Sequence, residues 1–233
     1  MTNLIVTTSW DDGNILDRKV ADLLAKYKVK GTFYVPQILY PESLENHHLL
    51  EIDRYCEIGA HTFHHKDLTK ISPIESKREI EDSKIYLEEI LGRKLQMFSY
   101  PDGKHNSTIR RIVRDAGFIA ARTCESGFLG FPPDPYWWKI TLQASNGSPL
   151  QTLRLAIAYH LPVPSLSDWE IRAKLLFDRA LQTGGIYHIY GHALEFEDNQ
   201  DWGKFERVLE YIHDRDSISY MTNGEIFTRQ KNS

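Results

Sequence analysis

The chain has little cysteine, no long apolar run and no basic leader. Its 233 residues include only Cys56 and Cys124, and two cysteines so far apart do not make the disulfide framework of a small secreted domain. No stretch approaches the roughly 18 apolar residues of a membrane-spanning helix. The N-terminus, MTNLIVTTSWDDG, lacks the basic segment of a signal peptide. We therefore expect free thiols, a cytoplasmic location and no insertion into a membrane.

An excess of positive charge is also missing. Lysine and arginine number 28 against 32 acidic residues, which gives a formal net charge of -4 and argues against nucleic acid as a partner. The composition is instead 41% hydrophobic and 12% aromatic. That is enough to bury one sizeable core, so we expect a single domain over residues 1–233. The aromatic rings suit either that core or stacking against sugars, and composition leaves both open.

Strand and helix patterns alternate from the N-terminus. Segments rich in β-branched residues, such as NLIVTTSW and GTFYVPQ, alternate with amphipathic ones such as DRKVADLLAKYKV. The long helical pattern SPIESKREIEDSKIYLEEILG has Ser72 as its N-cap, Pro73 at its first position and Gly92 at its end. Such alternation predicts an α/β fold with a parallel sheet, and six or more units predict a (β/α) barrel.

Two later segments carry predictions of their own. Residues 125–166 break the alternation with proline, glycine and aromatic residues, so we expect a long loop region there. The segment WGKFERVLEYIHDRDSI is predicted to be the last helix. In a barrel of this kind, chemistry lies where the strands end and the loops begin.

Polar clusters stand at two of these expected strand ends. SWDDGN places the carboxylates of Asp11 and Asp12 side by side, where they repel each other unless a cation or a proton lies between them. The alternative is an ordinary Asp-Gly turn. HTFHHKDL carries His61 and His65, which would share one face of a helical turn with the spacing of metal-binding helices. His64 would point elsewhere.

A third cluster, IYHIYGHALEFE, contributes His188, His192 and Glu195. Taken alone, a pair of histidines four residues apart is more often incidental than a ligand pair. Taken together, one or two carboxylates and two histidines make a metal site with three protein ligands and open positions. A further aspartate and a further histidine supply a base and an acid. The combination indicates a metal-dependent hydrolase.

These residues resemble a known family. TSWDDG resembles the first motif of the polysaccharide deacetylases, the chitin-deacetylase-like carbohydrate esterases, and HTFHH followed by KDLTKIS resembles their second motif. FSYPDGKHN is similar to the third motif, and GGIYHIYGH to the late strand that ends in a catalytic histidine. The resemblance covers nearly the whole chain. It implies an intracellular-type member with the family's distorted (β/α) barrel of seven or eight strands.

The resemblance also implies roles for single residues. Asp11 would be the general base, and Asp12, His61 and His65 would hold a divalent metal, usually zinc. Thr62 would be the hydroxyl residue that steadies the loop by hydrogen bonding. The implied chemistry is a metal that polarises the acetyl carbonyl, a base that takes a proton from water, and a histidine that protonates the departing amine.

The third motif departs from the family pattern. An arginine usually orients the base there, whereas Ser99 or a neighbour occupies that region in this chain. Asp102 replaces the tyrosine whose backbone N–H serves the oxyanion. Because that role uses the backbone, it survives the replacement, and we expect Tyr100, Pro101 and Asp102 to lie at the oxyanion or the substrate.

The late motif offers two candidate acids. The alternation of side chains along a strand favours His188, which we expect to face the metal pocket from the barrel interior. His192 and Glu195 would then line the rim and touch substrate or steady the loop. The competing assignment makes His192 the acid.

The sequence thus predicts a metal-dependent deacetylase that removes an N-acetyl, or related N-acyl, group from an amino sugar. In the absence of a signal peptide, the expected substrate is a cytoplasmic oligosaccharide, a nucleotide sugar or a lipid-linked glycan precursor. Two alternatives stay open: a catalytically inactive carbohydrate-binding module on the same barrel, and a hydrolase of non-sugar amides. A base retained beside the metal ligands favours an enzyme over a binding module.

Overall fold

The structure is a computed structural model that describes residues 4–37 and 42–231. Its strands are β1 (Leu4–Asp11), β2 (Gly31–Val35), β3 (Glu57–Ala60), β4 (Met97–Ser99), β5 (Ala120–Arg122), β6 (Leu142–Gln143), β7 (Gly185–Gly191) and β8 (Ile218–Tyr220). Its α-helices are α1 (Asp17–Lys26), α2 (Asn46–Ile52), α3 (Pro73–Leu91), α4 (Ser107–Asp115), α5 (Pro149–Tyr159), α6 (Trp169–Thr183), α7 (Ala193–Asp198), α8 (Trp202–Ile212) and α9 (Asn223–Lys231).

The strands form one curled parallel sheet in the order β5-β4-β3-β2-β1-β7-β6. β7 pairs along almost the whole of β1, while β8 pairs with the first half of the other edge of β1 and β2 with the second half. Beyond β5 the chain returns, and Trp138 forms a parallel bridge with Arg122 before the same segment runs into β6. This curled sheet flanked by helices confirms the predicted α/β fold class, a distorted (β/α) barrel of seven or eight strands.

Burial of β1 explains why its sequence reads as an apolar run without alternation. All eight of its residues are buried, because a parallel strand covered on both faces has no solvent side. The Trp10 ring packs edge-on against Phe196 and Phe205, with centroids 5.5 and 5.0 Å away. The end of β1 is therefore rigidly held, and so is Asp11, its last residue.

The limits of α3 agree with the prediction. The Ser72 side chain accepts a hydrogen bond from the backbone N–H of Glu75 at 3.2 Å, Pro73 occupies the first turn, and Gly92 ends the helix with φ of 65°. Each feature satisfies or avoids a backbone group left free at a helix end. The loop between β3 and α3, which carries the histidine cluster, is thus fixed at its far end.

Two predictions about the later chain are wrong. Residues 125–166 are not a long loop region, because they contain β6, α5 and a short 3₁₀ turn over Val163–Leu166. The prolines at the start of α5 and of the turn mark helix starts rather than breaks. The segment WGKFERVLEYIHDRDSI also does not form the last helix, since β8 and α9 follow it and α9 packs against β1 and β2.

In the described ranges, no helix is both long enough and apolar enough to cross a membrane. Both cysteines are free thiols; Cys56 is buried and Cys124 is partly buried.

Candidate metal centre and proton-transfer groups

The C-terminal edge of the sheet brings the polar clusters together. Asp11 ends β1 and Asp12 follows it, His61 follows β3, and His192 follows β7. The backbone N–H of Asp12 donates to the Tyr34 carbonyl at 3.2 Å, which ties the turn after β1 to β2. Since parallel strands all end on the same edge, these three loops meet above the barrel.

Asp12, His61 and His65 converge on one point. Asp12 Oδ1 lies 3.6 Å from His61 Nε2 and 3.2 Å from His65 Nε2, and the two ring nitrogens are 3.1 Å apart. One ligand atom from each residue lies within 4.8 Å of the others. A carboxylate and two imidazoles are the donor set expected of a catalytic zinc site.

The hydrogen bonds around these residues fit a cation. His61 Nδ1–H donates to the Ser99 carbonyl at 2.8 Å, which leaves the Nε2 lone pair facing the common point. Burial lowers the pKa of His61, so its ring is neutral and able to act as a ligand. Within the described part of the chain, Asp12 Oδ1 is buried and accepts no hydrogen bond. Electron-rich atoms this close together repel one another unless a cation lies between them.

The histidine loop is not the helical turn that we expected. Residues 61–66 contain no helix, and Thr62 and His65 adopt left-handed φ values of 62° and 51°. Their imidazoles nevertheless meet, because the loop bends back on itself between His61 and His65. The ligand spacing is thus produced by a strained loop and not by helix periodicity.

The loop is steadied by a residue other than Thr62. In the described ranges, the Thr62 hydroxyl is buried and makes no hydrogen bond, which contradicts the role implied by the resemblance. Glu79 of α3 instead accepts from the backbone N–H of His64 at 2.8 Å and from its Nδ1 at 2.7 Å, and also contacts Lys66. Phe63 N–H donates to the Glu79 carbonyl at 3.0 Å. Sequence reasoning missed this buried glutamate, which looks like an ordinary surface position of an amphipathic helix.

Asp11 lies beside the three candidate ligands. Its Oδ2 is 3.6 Å from His61 Nε2 and accepts a hydrogen bond from the Ser99 hydroxyl at 3.3 Å. Burial raises the pKa of Asp11, but the charge of Arg122 and its hydrogen bond outweigh that effect, so the pKa is lowered overall. The group is therefore ionised at neutral pH and able to accept a proton.

Arg122 is the partner of Asp11 that sequence reasoning missed. Its Nη2 forms a direct ion pair with Asp11 Oδ1, and both side chains are almost completely buried. The guanidinium lies between the rings of Tyr34 and Tyr190, 4.9 and 4.4 Å from their centroids. The third motif places Ser99 where an orienting arginine was sought, and β5 supplies that arginine instead. An arginine inside the apolar strand pattern IAARTC was the available signal, because a buried charge needs a partner.

His192 lies near the oxygen of Asp12 that does not face His61 and His65. Its Nε2 is 3.8 Å from Asp12 Oδ2 and 3.0 Å from the Tyr190 hydroxyl, and its Nδ1–H donates to Glu195 at 2.9 Å. Gln143 Nε2 donates to the same carboxylate at 3.2 Å. Burial lowers the pKa of His192, but the hydrogen bond to Glu195 and the charges of Asp11 and Asp12 outweigh it and raise the pKa to about 9.

His188 does not line the pocket as we expected. Its side chain is fully buried in the barrel, where Nε2 shares a hydrogen bond of 2.8 Å with the Ser9 hydroxyl. Its ring packs 4.5 Å from that of Trp138. Burial, followed by the charge of Arg122, lowers its pKa well below the usual value. The side chain does point into the barrel, as strand alternation predicted. The barrel interior at this position is the packed core and not the cavity.

Two of the three third-motif residues expected at the oxyanion or the substrate are buried. Tyr100 is fully buried, and its hydroxyl donates to the Tyr136 carbonyl at 2.9 Å. Pro101 is also buried. Asp102 has a left-handed φ of 54°, and its carboxylate accepts from Lys104 at 2.9 Å. The Tyr100 and Asp102 side chains are thus engaged with the protein, which leaves only backbone groups of this segment for an oxyanion.

A cavity of about 410 Å³ opens beside the centre. Its wall runs from Asp11, Asp12 and His192 to Asn14, Glu42 and Leu194. The volume suits a small ligand or one end of a longer one.

Comparison with known proteins identifies relatives of this chain. A family model described as polysaccharide deacetylase matches residues 2–121. Peptidoglycan-N-acetylmuramic acid deacetylase PdaC of Bacillus subtilis is 29% identical over 115 residues, which are 47% of this chain and 24% of PdaC. The chain spans less than half the length of the curated relatives it matches, since the matched shares range from 19% to 45%.

Solved structures show the same fold. The Streptococcus pyogenes deacetylase PplD, solved in complex with acetate, is 25% identical with a TM-score of 0.54, over 56% of this chain and 61% of that one. A family 4 acetyl xylan esterase from Clostridium thermocellum, in complex with a cobalt ion, has a TM-score of 0.63 over 97% of this chain and 92% of that one. At 17% identity, the second likeness concerns the fold alone.

Proposed function

Because this chain belongs to the polysaccharide deacetylase family, we propose that it is a metal-dependent hydrolase that removes an N-acetyl, or related N-acyl, group from an amino sugar, an oligosaccharide or a glycan precursor. The observation that carries the proposal is the convergence of Asp12, His61 and His65 beside a second carboxylate that is held ionised. A binding module has no need of such a base.

The metal would be held by Asp12 Oδ1 and the Nε2 atoms of His61 and His65. A divalent cation there, most simply zinc, supplies Lewis-acid polarisation of an acyl carbonyl and acidifies water. The chain's own contribution is to hold the donors in place. The Ser99 carbonyl orients the His61 ring, and the Glu79 clamp on His64 fixes the loop on which His65 lies.

Asp11 is the proposed general base. Its carboxylate adjoins the ligands without being required among them, and the Arg122 ion pair keeps it ionised and fixes its orientation. It takes the proton of the attacking water as the water adds to the acyl carbon. Ser99, which replaces the expected arginine, holds the second carboxylate oxygen.

His192 is the proposed general acid, and His188 has a structural role. An amine leaves poorly unless it is protonated, so a charged imidazole must face the scissile bond. Glu195 favours the charged form of His192 and also fixes its tautomer. His188 has neither access to the cavity nor a partner that would keep it charged.

A chelator experiment tests the proposal. Purified protein is freed of metal and reloaded with zinc or cobalt, and release of acetate from chitotetraose is measured before and after. We expect activity to disappear with the metal and to return with it. Activity that persists after the metal has been removed would contradict metal dependence, and no acyl release from any N-acyl sugar after reloading would favour the binding module. A parallel screen of cyclic and linear non-sugar amides detects the other alternative.

We also propose a cytoplasmic site of action. Two free thiols favour a reducing compartment. Fractionation of cells of the source organism with an antibody against the chain tests this, and recovery outside the cell would refute it.

A further inference from the structure

The cavity beside the proposed metal centre has an unusual charge distribution. None of the described residues that line it is a lysine or an arginine. His192 is the basic side chain on the described wall, and Glu195 already accepts its Nδ1–H. Away from the proposed metal, the described wall therefore offers no lysine or arginine as a counter-charge to an anionic ligand.

Glu42 places a carboxylate on the wall of the cavity. Its backbone is held in place, because Ile15 N–H donates to the Glu42 carbonyl at 2.6 Å and Leu44 N–H donates to the Gly13 carbonyl at 2.8 Å. Ser43 and Asn14 form an antiparallel bridge between the same two segments. The Glu42 side chain is exposed, so its carboxylate stays charged in water beside whatever enters.

The lysine of the third motif is already neutralised. Lys104 follows β4, and its ammonium lies 3.0 Å from Asp67 and 2.9 Å from Asp102. An anionic substituent that reached Lys104 would have to compete with two carboxylates for one cation, so this lysine offers it little attraction.

We propose that the cavity selects uncharged N-acyl amino sugars and that Glu42 is the specificity-determining residue that disfavours anionic ones. This inference rests on the proposed function and narrows its substrate class. Neutral oligosaccharides of N-acetylhexosamine are accepted. Nucleotide sugars, which carry a diphosphate, and sugars with a lactyl carboxylate are turned over poorly, because their charge meets the Glu42 carboxylate on a described wall without lysine or arginine.

A matched pair of probes tests the inference on the metal-loaded enzyme. Chitotetraose is the neutral probe, and an N-acetylglucosamine–N-acetylmuramic acid oligomer of the same length is the anionic one. We expect kcat/KM to favour the neutral probe at least tenfold. Glu42→Lys reverses the charge and should reduce that ratio by about tenfold. Glu42→Gln only removes the charge and should reduce the ratio by less. Added salt should also reduce the ratio, because salt screens the exposed carboxylate.

Glu210→Lys is the control, because Glu210 is an exposed residue of α8 and its replacement changes the net charge by the same amount. It should leave the ratio as it is. A wild-type ratio near one, or equal effects of Glu42→Lys and Glu210→Lys, overturns the inference while the deacetylase function stands. If neither probe releases acetate, the proposed function fails. Calorimetry with the two probes then tests the inference separately, since the inference requires tighter binding of the neutral probe.

Discussion

Buried polar groups at the two ends of the sheet differ in whether they are hydrogen-bonded. At the C-terminal end, Asp12, Thr62 and His65 all have left-handed φ values, between 51° and 79°. Two polar atoms there, Asp12 Oδ1 and Thr62 Oγ1, are buried without a hydrogen bond to any described residue. At the N-terminal end, Glu57 is similarly buried but well bonded, because the Thr32 hydroxyl donates to it at 2.7 Å and a backbone N–H of α9 donates at 2.8 Å.

This difference indicates that the C-terminal end serves function and the N-terminal end serves stability. Strained backbone and unmet hydrogen bonds persist only where the surrounding structure imposes them, and such strain collects at functional sites. The bonded network around Glu57 instead includes Asn223, whose side chain joins Thr7 of β1 and Tyr34 of β2 at 2.9 Å each. That network holds α9 across the bottom of the barrel. Changes at the first end should therefore affect chemistry, and changes at the second should affect folding.

The largest effect is expected for a metal ligand. His65→Gln removes one of three donors, so we expect metal content to fall and activity to drop on the order of 1000-fold, because polarisation of the carbonyl is lost. Metal is measured by plasma mass spectrometry and stability by thermal unfolding. His47→Gln, an exposed histidine of α2, is the matched control and should change neither quantity. Full metal content in His65→Gln would remove this residue from the site.

Replacing the proposed base should have a different effect from replacing a metal ligand. Asp11→Asn is expected to keep the metal and to lose activity by several hundred-fold, because the amide cannot accept the proton of water. Asp12→Asn should lose the metal as well. The reverse result, with metal lost from Asp11→Asn and kept in Asp12→Asn, would exchange the two assignments.

The two histidines of the late motif should also behave differently. His192→Gln is expected to lower kcat by about 100-fold with metal retained, because the leaving amine then has no proton donor. His188→Gln places the same substitution in the packed core, so we expect a lower melting temperature and a much smaller loss of kcat in the fraction that stays folded. A larger kcat loss in His188→Gln than in His192→Gln at equal folded fraction would return the acid role to His188.

The pH profile sharpens the assignment of His192. An acid must be protonated to act, so kcat/KM should fall as pH rises through the pKa of His192, which the hydrogen bond to Glu195 raises. Glu195→Gln removes the hydrogen bond that raises this pKa, and the alkaline limb should move to lower pH by about one unit. An alkaline limb that stays in place in Glu195→Gln would show that another group sets it.

The smallest effect on activity is expected at the N-terminal end of the sheet, where the change should be in stability. Burial raises the pKa of Glu57 to about 7 from its ordinary 4.5. The folded protein then binds more protons than the unfolded chain between these values, so the free energy of unfolding should fall as pH rises from about 4.5 to about 7. Glu57→Gln keeps both acceptor bonds and should flatten this slope, with a gain of about 2–3 kcal/mol at pH 8. Denaturant titrations at several pH values measure it, with unchanged kcat as the control.

Prediction from sequence succeeded where local signals and the global fold agree. The β1 composition, the Ser72 cap and the Gly92 stop depend on short-range rules, and the structure confirms each of them. It failed at residues 125–166, where prolines at helix starts were interpreted as loop residues. It also failed for the histidine loop, because residues four apart can meet on a bent loop as well as on a helix.

The sequence by itself determined the fold class, and its strand-end clusters specified which side chains would meet at the C-terminal edge. That follows because a parallel α/β sheet sends every strand end to the same side, whatever the details. Tertiary structure alone decided which partners those side chains have. Arg122 reaches Asp11 from β5, Glu79 steadies the histidine loop from α3, and His188 points into the core while His192 faces the cavity. Each of these depends on distances between segments remote in sequence, and periodicity within one segment carries no information about them.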